Sequence, residues 1–182
     1  MDDTQIIEAV RFRASNPRRR TDQSDTSRTA AASPASSYQI SEAERSLGFP
    51  LPELLKKLLQ EVGNGGYGPG YGLIGTPGGF SDDLGNSFVS LYEAFASKDP
   101  DDPAWDWPTG LVPICHWGCA IYSCVDCLHD NGMYVWDPNV WEAGQSPKIA
   151  IRALSRDLRS WLAAWSNDTD LWTEMYSAEG LQ

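Results

Sequence analysis

Six side chains that bind soft metals fall within fifteen residues of this chain: Cys115, His116, Cys119, Cys124, Cys127 and His129. Zinc takes four such ligands in a tetrahedron, commonly from paired Cys-x-x-Cys knuckles. The spacing here is Cys-x3-Cys-x4-Cys-x2-Cys, with one knuckle, Cys124 to Cys127. The intervening residues read as β-strand, where odd separations turn side chains to opposite faces. Cys124 is then expected to face away from Cys119 and Cys127, so the four thiols do not converge easily. Free cysteine packs as a small hydrophobe. Structural thiols are the expected reading, with no metal and no cofactor. Cys115 and His116 are strand neighbours on opposite faces and cannot form a nucleophile–base pair. Cys115 with His129 stays geometrically open, but nothing else supports it, and no catalytic residue is expected.

Gly63, Gly65 and Gly68 satisfy Gly-x-Gly-x-x-Gly. A dinucleotide site needs a strand before that motif and a helix after it. Here a helix precedes and a strand follows, and no Walker lysine is present, so nucleotide binding is discarded. The carboxylates Asp82, Asp83, Asp99, Asp101, Asp102, Asp106, Asp126 and Asp130 lie mostly in loops, where acid–base catalysis lacks a fixed pair. Asp126 falls in a predicted strand, and an exposed face residue and a specific contact both stay open.

Residues 98–110 form an acidic loop carrying Trp105 and Trp107. Aromatic anchors ringed by acids suit the centre of a protein interface. Asp99, Asp101, Asp102, Trp105, Asp106 and Asp126 are the candidate partner-binding residues. Trp107 stands beside a strand and is expected to cover the sheet edge or core.

The chain has 182 residues and a formal charge of -11, unevenly placed. Residues 1–37 carry six basic and five acidic side chains, and residues 38–182 carry eight and twenty. A domain at -12 repels nucleic-acid phosphates and draws a basic partner. Solubility alone is the competing reason for such acidity. No apolar run of about 18 residues exists, so no membrane span is expected. The start Met1-Asp2-Asp3 lacks the basic and apolar regions of a signal peptide. A cytoplasmic protein with reduced thiols is expected.

A short helix is expected over 4–15, then a Ser, Thr, Ala and Pro linker to residue 37 with an Arg18-Arg19-Arg20 run. Residues 1–37 are therefore read as an arm and 38–182 as the folded domain. Ser41 and Glu44 have capping-box spacing for a second helix. A third is expected over 52–62, with Leu54, Leu55, Leu58 and Leu59 on one face. A strand at 71–75 and a helix at 88–97 follow. Strands are expected at 111–116, 120–127, 132–137 and 148–153, then a helix opened by Ser155 and a last turn near Leu171. Short connections imply antiparallel neighbours. The layout is α+β, an antiparallel or mixed sheet with helices packed on one face.

Three stretches together resemble the SMI1/KNR4 (SUKH) family. They are Ser41–Glu44 through Leu47-Gly48-Phe49-Pro50-Leu51-Pro52; Glu61-Val62-Gly63-Asn64-Gly65-Gly66-Tyr67 through Leu73; and Trp107-Pro108 with Gly110–Ile114 through Gly118-Cys119 to Cys124-Val125-Asp126. Asn16-Pro17-Arg18-Arg19-Arg20-Thr21-Asp22 is similar to the arm of bacterial members. The resemblance implies an α+β domain without catalytic residues or a required cofactor. Many bacterial members are similar to immunity proteins that neutralise polymorphic or contact-dependent toxins. Fungal relatives look like scaffolds in cell-wall synthesis and signalling. The resemblance fixes no binding surface, and the expected partner is a basic toxin domain.

Overall fold

The computed structural model describes residues 1–15, 31–98 and 100–176. The Arg18-Arg19-Arg20 run and Asp99 lie outside the described residues. Six α-helices and four strands follow one another along those residues: α1 (Asp3–Ala14), α2 (Ser37–Leu47), α3 (Glu53–Glu61), α4 (Phe88–Ala96), β1 (Leu111–His116), β2 (Tyr122–Asp126), β3 (Gly132–Trp136), β4 (Ile151–Asp157), α5 (Leu158–Ser166) and α6 (Leu171–Tyr176). The strands pair in the order β1-β2-β3-β4, every pair antiparallel. The molecule is an α+β fold around a four-stranded meander.

The helix starts follow side-chain chemistry. Asp2, Ser36, Ser87 and Asp157 each cap a helix, with Gln5, Gln39, Ser90 and Ser160 closing the capping boxes. Each box satisfies amide groups that the first helical turn leaves open. The box that opens α2 is Ser36–Gln39 rather than Ser41–Glu44, so α2 starts four residues before the expected cap. Glu44 instead reaches forward to the Leu51 amide and to Lys56 on α3. Gly48, at φ +82°, ends α2 in the left-handed conformation that glycine adopts without strain. Leu54, Leu55, Leu58 and Leu59 form the buried face of α3.

Three boundaries differ from the sequence reading. The expected strand at 71–75 is a single bridge, Leu73 to Cys115. Its backbone still seals the edge of β1: Tyr71 N donates to His116 O at 2.9 Å and Ile74 N to Ile114 O at 2.8 Å. Next, β2 starts at Tyr122 because Cys119 and Ala120 are left-handed, at φ 51° and 57°, which no strand permits. Last, β4 runs to Asp157, and that residue rather than Ser155 opens α5. Leu154 fits a helical stripe in sequence, but pairing between β3 and β4 keeps it extended.

Both faces of β1 and β2 are buried. Every residue of β1 is buried, as are Tyr122 to Val125 of β2. On one face Ser123 meets Met175 of α6. On the other, Tyr122 and Trp136 lie under Phe95 of α4, which also touches Trp105 and Trp107. Trp107 is buried and its indole N–H donates to Leu111 O at 2.8 Å, so it covers the core. Helix α1 packs on α3 and α5. Residues 32–35 are tied down by backbone bonds from Ala32 to Gly65 and from Ala35 to Leu59.

Candidate functional site

The cysteines separate. Cys115 and Cys124 are buried, Cys127 is half-buried, and Cys119 is exposed in the β1–β2 turn. Cys115 Sγ donates to Pro69 O at 3.2 Å, while the His116 ring is sandwiched between Tyr71 and Tyr122. Neighbouring residues on a strand have thus gone to different partners. His129 is exposed and its Nδ1 lies 2.8 Å from Asp126 Oδ2, in its own turn. Among the described residues, no group of three or more His, Cys, Asp or Glu could hold a metal ion.

Burial raises the Cys124 thiol well above its ordinary value. Burial, helped by Asp126, pushes Cys127 up to about 12. A raised thiol stays protonated at neutral pH, and the thiolate is the nucleophile. At pH 8, iodoacetamide should therefore modify Cys119 first, with Cys115, Cys124 and Cys127 reacting only in denaturant. Mass spectrometry over time reads the order. Modification of Cys124 as fast as Cys119 would contradict the burial of this strand.

His116 approaches a second acidic group. Its Nδ1 is 3.6 Å from Asp83, and Tyr122 Oη donates to Asp82 Oδ2 at 3.0 Å. Burial opposes ionisation of Asp82, but hydrogen bonds from the Asn86 backbone and side chain, Tyr122 and Leu84 outweigh it and lower its pKa. An ionised carboxylate taking that many donors organises the 82–87 turn. It has no spare lone pair for acid–base work.

The acidic loop makes a different arrangement. Trp105 is half-buried, and its indole N–H donates to Phe95 O at 2.6 Å. It stacks on Trp107 with centroids 6.2 Å apart and meets Trp141 edge-on at 5.3 Å. Beside it is a cleft of about 370 Å³ lined by Ala94, Ser97, Lys98, Pro100, Asp102, Trp105 and Trp141.

Of the sequence-predicted residues, Trp105 and Asp102 line this cleft. Asp101 is exposed on the same loop. Asp106 is exposed and paired with Lys148 at 2.5 Å; that hydrogen bond and charge hold its pKa below the ordinary carboxylate value. Asp126 is not among the lining residues: its carboxylate takes the Leu128 amide and His129. Of the lining residues outside the predicted set, Lys98 and Trp141 are the charged and the aromatic one. Trp141 follows the 3-10 turn Pro138–Val140, 36 positions beyond Trp105. No local pattern links it to the acidic loop.

The fold and cleft together define a small α+β domain whose meander carries an acidic, tryptophan-lined surface. The model of the SMI1 / KNR4 family (SUKH-1) matches residues 34–164. The chain belongs to that family. No curated protein matches the chain as a close relative. The matched span runs from the start of α2 into α5 and contains the whole cleft, leaving α1 and α6 outside. Among the described residues, no helix is long and apolar enough to cross a membrane.

Proposed function

We propose that this chain is a non-catalytic immunity-type protein that neutralises a polymorphic or contact-dependent toxin. It does so by covering a basic surface of the toxin with the loop around 100–106. Family membership supports the immunity role. The observation that carries the choice of surface is the fixed, half-buried Trp105 with Asp101 and Asp102 beside it. A rigid indole provides contact area at low entropic cost, and flanking acids steer a basic partner. Asp106 contributes less, because Lys148 already neutralises it. Asp126, whose carboxylate already takes the Leu128 amide and His129, belongs to the proposed surface only as its periphery. The proposal places the protein in the cytoplasm, where such a toxin would act.

The test is capture of the tagged chain from its source cells. The captured partner is then expressed with and without the chain. A basic partner that stops growth alone and is harmless with the chain supports neutralisation. Asp101→Asn with Asp102→Asn should weaken binding about tenfold at low salt, the size of two exposed charge contacts. The loss should shrink as salt rises. A partner from wall synthesis or signalling with no effect on growth would replace the toxin reading with a scaffold role.

A further inference from the structure

We infer that the cleft lined by Trp105 and Trp141 is a socket for a single arginine side chain of the protein partner. The inference rests on the protein-binding reading above and names the chemistry of its central contact.

The two indoles stand nearly perpendicular, at 82°, with centroids 5.3 Å apart. Both ring N–H groups are already used. Trp105 Nε1 donates to Phe95 O at 2.6 Å and Trp141 Nε1 to Gln145 O at 2.8 Å. Trp105 has one face on Trp107, so what the two rings offer the cleft is their remaining π surface, with no donor. That surface attracts cations rather than hydrogen-bond acceptors.

Asp102 supplies the acceptor. Its Oδ2 takes the Gly144 amide at 3.3 Å, whereas its Oδ1 is buried and has no hydrogen-bond partner. A carboxylate oxygen shut from water without a donor is costly, so a ligand that draws the Asp102 side chain toward the cleft and supplies a donor gains more here than at a solvated aspartate. Lys98 lines the same cleft but does not bond to Asp102 Oδ1. It is exposed, and its charge acts on Asp106. It is a competitor at the rim that can swing aside.

The occupant must carry donors, bear positive charge and lie flat against an indole. Guanidinium does all three, since it is planar, weakly hydrated and forked toward carboxylates. An ammonium is compact and strongly hydrated, and it stacks poorly. At about 370 Å³ the cleft is near the small end of ligand pockets, which suits one long side chain. The acidity of residues 38–182 delivers a basic partner to it.

The probe is N-acetyl-argininamide, titrated into the full chain labelled with nitrogen-15 and read at the tryptophan indole resonances. The neutral isostere N-acetyl-citrullinamide and the ammonium N-acetyl-lysinamide serve as comparisons. Argininamide should shift the Trp105 and Trp141 resonances saturably, in the millimolar range expected for one side chain. Citrullinamide should not, and lysinamide should bind several-fold more weakly. Asp102→Asn should weaken argininamide at least fivefold with the other indole resonances unmoved. Lys98→Met should strengthen it two- to threefold. Equal shifts from citrullinamide, equal binding of lysinamide, or an unaffected Asp102→Asn variant would each overturn the socket. Saturable argininamide binding without any toxin partner would leave the socket standing and remove the immunity reading. A neutralised toxin whose affinity ignores both Asp102→Asn and Trp141→Ala would do the reverse.

Discussion

A chain shortened to begin at residue 31 is expected to lose cooperative unfolding. Helix α1 lies outside the span matched by the family, yet its inner face is fully part of the core. Ile6 and Val10 are 0% exposed and Ile7 is 4% exposed. Burying three such side chains is worth about 1.5–3 kcal/mol each, an upper figure because unfolded chains already hide some surface. Arg13, at the end of the helix, is buried against Asp168 at 2.9 Å and lies over the Trp165 ring at 4.4 Å. Its charge ties the start of the chain to the turn after α5. Shortening also spares the entropy of ordering the helix. It does not restore cover to α3 and α5, whose apolar faces then meet water.

Domains of this size have only about 5–15 kcal/mol of net stability, so the loss is comparable to the whole. Urea unfolding followed by circular dichroism compares the two chains. The full chain should show one sharp transition and the shortened chain a broad or absent one. Ile6→Ala alone should lower stability by about 2–5 kcal/mol. Matching midpoints would show that α1 is an appendage, and that residues 1–37 are separable from the domain.

What the sequence revealed follows from how local the signals are. The leucines of α3, the aromatic face of α4 and the strands of the meander repeat within a few residues, so periodicity alone located them. The start of α2 was placed too late, at Ser41–Glu44, because the box that forms, Ser36–Gln39, has the same spacing and Glu44 turns instead to Leu51 and Lys56. The end of β4 was hidden for a related reason. Leu154 and Leu158 have helical spacing, but the β3 pairings on either side of Leu154, at Ala153 and Asp157, keep it within the strand. The cleft was half legible. Acidic loop and tryptophans are adjacent in sequence, whereas Trp141 and the Gly144 amide come from beyond β3 through tertiary packing. Asp126, open in the sequence as a face residue or a specific contact, holds the Leu128 amide and His129 in its own turn.

The glycine-rich stretch shows the same division, and it carries the second large effect. Asn64→Leu is expected to destabilise the protein by about 2–6 kcal/mol, from two buried polar groups left unsatisfied at ~1–3 kcal/mol each. Asn64 is 1% exposed. Its Nδ2 donates to Thr76 Oγ1 at 2.8 Å, and its Oδ1 accepts from Thr76 N at 2.9 Å. Its backbone carbonyl accepts from Phe80 N at 2.8 Å. Asn64 thus ties the two ends of the 64–80 loop together, and Gly75 and Gly79 stand where they do to make room for it. A Cβ on Gly75 would fall 2.2 Å from Asn64 O, and one on Gly79 would fall 2.4 Å from Asn64 Cγ.

Gly75 and Gly79, downstream of the motif that mimics a phosphate loop, cradle Asn64, whereas Gly63, Gly65 and Gly68 of the motif itself make room for Ala31 and Ala32, for Leu73 and Phe80, and for Leu73. A double-mutant cycle in urea tests the cradle. Gly79→Ala should be strongly destabilising in the native chain. Its penalty should shrink in the Asn64→Ala background, because the amide it strikes is gone. It should not vanish, because the same Cβ would still lie 2.6 Å from the Asn64 carbonyl oxygen. Strictly additive losses would mean that Gly79 serves something other than the Asn64 side chain.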